Sequence, residues 1–300
     1  MSISHPPVSI GLPVRNGAAV VDTAIRAVLT QDYADLELVI SDNASTDSTA
    51  EICRSYERDD PRVRYHRQPN NIGATANFVQ VMRLARGTFF KWIGDDDWLE
   101  PGYLSSCLER FAADDRLILV TTEQVLIGQD GQMCPTAYTG CGLSSDRPVE
   151  RFAEYLRLLA RSQLVLDPLY GLMRREAVIA IPRRNIVRED EIFAAKLALA
   201  GPWDHVPVVL AHRGWKIERL AWLARRLDVP FWQVWAANLV QCGELLSWLQ
   251  HVPLTQAERQ EACAEVRRLY LRRHQHTAVR RCRKLMASFR SDSVRSTTAL

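Results

Sequence analysis

The first 130 residues repeat one pattern, a short apolar run followed by a stretch with apolar residues at helical spacing. Strands are predicted at 8–12, 36–41, 63–66, 89–93 and 117–127, with helices over 18–30, 47–56, 74–85 and 101–112 between them. Strands alternating with helices at this spacing predict βαβ units, a mostly parallel sheet and an α/β fold. Such sheets take ligands in the crevice beyond the carboxyl ends of their strands. Chemistry is therefore expected just after strands.

The second half is less regular. Residues 128–142 read as a Gly-, Cys- and Thr-containing loop, 147–160 as a helix, 170–174 as a strand and 190–200 as a helix. From Trp203 onward six tryptophans fall among long helical periods, at 203, 215, 222, 232, 235 and 248. The segment 229–243 carries Gln and Asn and reads as a buried or amphipathic helix. An Arg-rich helix is expected to about 286, with 291–300 frayed. No run approaches the roughly 18 apolar residues of a spanning helix. The N-terminus shows no basic region followed by an apolar one, so no secretory signal is read.

Composition changes this picture little. The hydrophobic share is 47% and the charged share 24%, ordinary for a globular chain. The seven cysteines are scattered, odd in number and never spaced CxxC. That predicts a reducing cytosol rather than a disulfide framework or thiolate zinc site. Charge is uneven. Residues 264–300 hold ten Lys/Arg and two Asp/Glu, so the net +3 splits into +8 there and −5 before. Either the tail meets an anionic surface or it is a solvated helix face.

The strongest chemical signal is FFKWIGDDDWLEP, where an apolar run ends in Gly94 and three carboxylates, Asp95, Asp96 and Asp97. Like charges this close disfavour one another. A hard divalent cation such as Mg²⁺ or Mn²⁺, shared with substrate phosphates, resolves the conflict. An acidic first turn before a helix explains one or two Asp less demandingly. A second carboxylate, Asp42, ends the run LELVISD, positioned to accept from a base N–H or a ribose hydroxyl. Ser48 and Glu51 downstream read as a capping box, with Asp47 as an alternative cap.

Four blocks in order resemble family 2 glycosyltransferases: VSIGLPVRN (8–16), ISDNASTDST (40–49), NNIGATANF (70–78) and LARGTFFKWIGDDDWLEP (84–101). The resemblance covers about the first 110 residues. It implies a GT-A fold, a Rossmann-like sheet with a donor half (1–115) and an acceptor half (116–215), followed by a helical C-terminal extension (216–300). It implies that Pro13, Val14, Asn16, Asp42, Gly73, Asn77 and Asp95 bind the donor, and that Asp96 binds the metal. Gly94 stands where many members have an Asp, which leaves the metal assignment open among Asp95, Asp96 and Asp97. REDEIFAAKLALAG (188–201) resembles the motif that supplies the catalytic base, implying Asp190, with Glu189 or Glu191 as alternates. His212 and Arg213 close an apolar segment. They either reach the metal and diphosphate or are surface residues.

The implied activity is inverting transfer of a sugar from a UDP- or dTDP-sugar to a saccharide or lipid-linked acceptor, with Mn²⁺ or Mg²⁺ and no nucleic-acid partner. The basic C-terminal helix either lies on the inner membrane face or packs on the catalytic body or a twin subunit. A nucleotidyltransferase would favour a Gly-rich basic loop after the first strand, where this chain has PVRNGAAV. A Rossmann dehydrogenase would need G-x-G-x-x-G. A non-catalytic module on the same scaffold fits poorly with the intact carboxylates.

Overall fold

Every residue of the first two strands, β1 (Val8–Val14) and β2 (Leu36–Asp42), is buried, as expected of a parallel sheet covered on both faces. A computed structural model describes residues 7–128, 131–160, 167–214 and 220–275. Trp215, residues 276–286 of the Arg-rich helix and the tail 291–300 lie outside them.

The remaining strands are β3 (Val63–Arg67), β4 (Phe89–Trp92), β5 (Trp98–Leu99), β6 (Leu119–Ile127), β7 (Met133–Thr136), β8 (Leu172–Arg174) and β9 (Trp203–Gly214). The helices are α1 (Val21–Leu29), α2 (Thr49–Asp59), α3 (Ala74–Leu84), α4 (Tyr103–Ala113), α5 (Pro148–Leu159), α6 (Arg175–Ile179), α7 (Glu189–Ala200), α8 (Leu220–Arg226), α9 (Trp232–Trp235) and α10 (Ala237–Leu249). A further helix, α11, occupies 256–275. The sheet order is β3-β2-β1-β4-β8-β6-β9-β5, with β7 on β6. The β1–β2, β2–β3, β1–β4 and β6–β9 pairs are parallel, and the rest antiparallel.

From β1 the chain winds outward through β2 and β3, then returns to place β4 on β1's other side. That reversal is a topological switch point, where the two crossovers part and leave a crevice. Side chains alternate across the sheet with period two. Leu36, Leu38 and Ile40 pack with α1 and α4 on one face, and Val39 joins α3, α5 and α7 on the other. The second core also takes Cys242, Leu245 and Leu249 of α10 and Ala262, Val266 and Leu269 of α11. These C-terminal helices therefore share the core of the sheet. Arg273 reinforces this, pairing with Glu191 at 2.8 Å and donating to Gln241 and the Leu159 carbonyl.

Three local expectations are corrected. The 128–142 segment contains an edge strand, β7, with Pro135 in its four residues; proline is confined to such edges because it cannot donate to a ladder. The Ser48–Glu51 capping box does not form. Instead Asp47 accepts from the Thr49 amide (3.1 Å) and hydroxyl (2.5 Å), and from the Ala18 amide (3.2 Å), which ties α2 to the loop after β1. The 229–243 segment is split between α9 and α10.

Arg151, 3% exposed, donates to the carbonyls of Ala198 (2.8 Å), Leu199 (3.2 Å) and Ser145 (2.7 Å), so a side chain from α5 caps the end of α7. Helix ends leave such carbonyls without intrahelical partners. Arg151→Met is expected to destabilise the protein by about 2 kcal/mol, read as a lower urea midpoint at constant slope. An unchanged midpoint would show that water replaces the cap.

Candidate functional site

The cleft at the switch point has a volume of about 400 Å³. The carboxyl end of β1 supplies Pro13 and Val14, followed by Asn16. The start of α3 supplies Gly73 and Asn77, and the loop after β4 supplies Asp95. Six of the seven residues expected on the donor side thus meet in one cavity. The backbone geometry here is costly. Asn16 lies in the left-handed region at φ 55°, a conformation that non-glycine residues seldom adopt. Its strain is held by its own hydrogen bonds: the Asn16 amide donates to Ser45 Oγ (2.9 Å), and its Oδ1 accepts from the Thr46 amide (2.8 Å).

Asp42, the seventh, does not line the cavity. It is fully buried, accepting from the Ser45 amide (2.8 Å) and the Tyr65 hydroxyl (2.6 Å). Its role in this geometry is to shape the loop after β2. The next residue, Asn43, faces the cleft instead, donating to Asn71 Oδ1 (2.8 Å) and accepting from the Ile72 amide (2.8 Å). Asn43 and Asn71 stood within the motif blocks but were not singled out. Trp222 and Arg226 of α8 also line the cavity, and nothing in their sequence surroundings marks them.

The three aspartates after β4 have three different environments. Asp95 packs against Gly17, where an added Cβ would sit 2.7 Å from its Oδ2, and Asp96 packs against Gly214, where it would sit 2.6 Å from Oδ2. Only glycine admits such close approach. Asp97 turns inward and is 4% exposed, accepting from the Gly94 amide (3.0 Å) and facing the Arg213 guanidinium at 3.4 Å. Burial pushes its carboxyl up, against the pull of Arg213. Arg213 also pairs with Asp167 and lies over the Tyr170 ring, 3.5 Å from its centroid. Burial opposes its charge, but Asp167 and Asp97 outweigh that and hold it protonated. Behind this group Lys91, 1% exposed, donates to the Tyr170 carbonyl and sits over the Tyr103 ring. Burial brings its pKa down to about 8.

His212 stacks on Trp98 with ring centroids 4.7 Å apart, and its Nε2 lies 2.8 Å from Glu100. The expected metal set of Asp96, Asp97 and His212 therefore does not assemble. Among the described residues no three His, Cys, Asp or Glu side chains gather as a metal site. Asp97 is committed to Arg213 and His212 to Glu100. Arg213, left open between a ligand contact and the surface, is half-buried between Asp97 and Asp167.

The base candidates open α7. Its N-cap, Arg188, is left-handed at φ 65°, so the chain turns sharply into Glu189 and Asp190. Arg183, with its side chain 3% exposed, lies among the rings of Phe193, Trp92 and Phe78. It donates to Glu189 Oε1 (2.8 Å), to Glu189 Oε2, and to Asp190 Oδ1 (2.8 Å). Glu189 is 7% exposed whereas the Asp190 side chain is 70% exposed. Burial pushes Glu189 up to about 7, with Arg183 opposing. Glu191 is tied to Arg188, Arg273 and Gln241, which leaves Asp190 as the acid presented to solvent. Burial raises the Tyr170 hydroxyl, Arg213 opposes this, and Asp97, Asp167 and Asp190 add to the rise.

The family model described as glycosyl transferase family 2 matches residues 9–181. Chondroitin synthase of Escherichia coli is 34% identical over 134 residues, 44% of this chain and 19% of that protein, so the match spans about a fifth of its relative. S. aureus TarS 1-349, solved with UDP-GlcNAc, superposes with TM-score 0.62 at 15% identity, covering 88% of this chain and 72% of that one. The mannosyltransferase PcManGT from Pyrobaculum calidifontis, solved with GDP-Man and Mn²⁺, gives 0.53 at 16% identity, covering 92% and 84%. At these identities the structural likeness is one of fold.

Glu189 generates a pH prediction. Its carboxyl ionises near the ordinary 4.5 in the unfolded chain and near 7 in the folded one. Its contribution to stability is therefore full below 4.5 and is lost as pH rises through 7, by up to about 3 kcal/mol. Glu189→Gln should remove that decline, so that the variant gains on the parent between pH 5 and 7 in chemical denaturation. Parallel pH profiles would show that Arg183 keeps Glu189 ionised in the fold.

Proposed function

Since the chain belongs to glycosyl transferase family 2, we propose that it moves a sugar, with inversion at the anomeric carbon, from a nucleotide diphosphate to an acceptor hydroxyl. The observation carrying this is the convergence of Pro13, Val14, Asn16, Gly73, Asn77 and Asp95 on one cleft at the switch point. Its volume suits a nucleotide-sized ligand. Asn43 and Asn71 supply amides at its wall, and Asp42 acts through the loop it braces. The donor is read as a UDP- or dTDP-sugar and the acceptor as a saccharide or lipid-linked sugar, on a path of polysaccharide or glycoconjugate synthesis.

A divalent ion fits the acidic loop in one form only. Mg²⁺ and Mn²⁺ are commonly held by one or two carboxylates plus substrate phosphates. Asp96, with Asp95 beside it, offers that donor set, while Asp97 and His212 are engaged elsewhere. When bound, such an ion supplies Lewis-acid stabilisation to the charge developing on the leaving diphosphate.

The residues of the chain do the rest. The cleft holds the nucleotide and diphosphate in register with the opening of α7. Asp190, exposed and at a helix N-terminus, takes the proton from the acceptor hydroxyl as it attacks. Arg183 fixes where that carboxylate points, because its guanidinium is itself locked among three aromatic rings. Glu189, its carboxyl pushed up to about 7 by burial, lies on Arg183 beside the base.

Asp190→Asn should retain donor binding, seen as unchanged thermal stabilisation by UDP-sugar and Mn²⁺, while turnover falls about 10²–10⁴-fold. Near-normal turnover would remove Asp190 from the mechanism. Excess EDTA, or Asp96→Asn, should abolish both transfer and donor-dependent stabilisation. Full activity in EDTA would dismiss the metal reading while leaving Asp190 to be judged on its own result.

A further inference from the structure

One wall of the cleft comes from outside the family match. The match covers residues 9–181, yet Trp222 and Arg226 of α8 line the same cavity as Pro13, Asn16 and Asp95. Local packing accounts for where α8 stands. Ala224, 1% exposed, is buried in a small core with Val187 and Ala237. Trp222 and Arg226 lie two positions to either side of it, so both fall on the opposite side of a helix with 3.6 residues per turn. A second tie runs through Asn185. Its side chain accepts from the Thr75 hydroxyl (3.1 Å), in the first turn of α3, and donates to the Leu227 carbonyl, just after α8. The helix is thereby fastened to the rim of the cleft that carries Gly73 and Ala74.

The chemistry of this wall suits an anion. The charged side chains lining the cavity are Arg15, Asp95 and Arg226, two guanidinium groups against one carboxylate. A guanidinium presents a planar fork of donors that matches phosphate oxygens. Arg226 is exposed, and its guanidinium lies over the Trp222 ring, 5.3 Å from the centroid. Side chains four apart on a helix are neighbours, and an indole face attracts a cation. Seating the long arginine side chain on a ring reduces the freedom that it must lose when a ligand binds.

We propose that Arg226 contacts the diphosphate of the nucleotide donor, with Trp222 as the positioning residue that holds its guanidinium over the cleft. The proposal rests on the donor reading above and adds to it a determinant from beyond the matched residues. Arg226 meets the phosphates, so it favours a nucleoside diphosphate over the bare nucleoside.

The test is titration of the full chain, with Mn²⁺ present, by UDP and dTDP and by uridine and thymidine, followed by ligand-observed NMR. Arg226→Gln should weaken the diphosphate at least about tenfold and leave its nucleoside unchanged, with unaltered circular dichroism. Arg226→Lys, which keeps the charge without the fork, should recover part of the loss. Trp222→Leu should weaken the diphosphate less than Arg226→Gln does, and should add nothing in the Arg226→Gln background. Equal losses for diphosphate and nucleoside would show that α8 only shapes the cleft. Parental affinity in Arg226→Gln would show that the phosphates lie elsewhere. Either result overturns the proposal and leaves the donor reading standing, and additive losses overturn the role of Trp222. A parent that binds neither UDP nor dTDP would overturn the donor reading and the proposal together.

Discussion

The guanidinium of Arg213 is the contact on which the site depends. It comes from the last turn of strand pairing in β9, yet it grips the loop after β4 through Asp97 and the segment before β8 through Asp167, with Tyr170 as its floor. Removing one partner from this mostly buried charge group leaves the others uncompensated, which is destabilising. By taking up Asp97, Arg213 reduces three adjacent carboxylates to two that face Gly17 and Gly214.

Arg183 performs the matching task on the other side. Its aromatic enclosure and its bonds to Glu189 and Asp190 turn a short helix start into a fixed pair of acids. One of these, Glu189, is buried, and burial pushes its carboxyl up. The other is exposed. Trp92 and Phe193, which enclose Arg183, stand inside the motif blocks, but Arg183 itself lies outside them.

Much of the donor half was legible in the sequence. Buried parallel strands are continuous apolar runs, and the residues just after β1 and β4 are those the switch point exposes, so Pro13, Asn16 and Asp95 could be placed by pattern and resemblance alone. What stayed hidden was pairing across long sequence distance. Nothing adjacent to Asp97 reveals Arg213, nothing adjacent to Asp190 reveals Arg183, and the carboxylate of Asp42 looks the same whether it faces a ligand or Tyr65. His212 was left open between a ligand contact and the surface; its stacking on Trp98 is a tertiary fact. β7 was missed because Pro135 and the short run around it carry no strand period. The role of α8 as a cleft wall depends on how the chain returns after β9, which periodicity does not encode.

The central claim is that Asp96, backed by the Arg213 network, holds a divalent ion against the diphosphate of a sugar nucleotide. It is tested most directly by anomalous diffraction from crystals soaked with Mn²⁺ and UDP. The account predicts a single manganese peak bonded to an Asp96 oxygen and to phosphate oxygens of the nucleotide, with Asp97 still on Arg213. A nucleotide in the cleft with no manganese beside Asp96, or an ion coordinated by His212 instead, would contradict it.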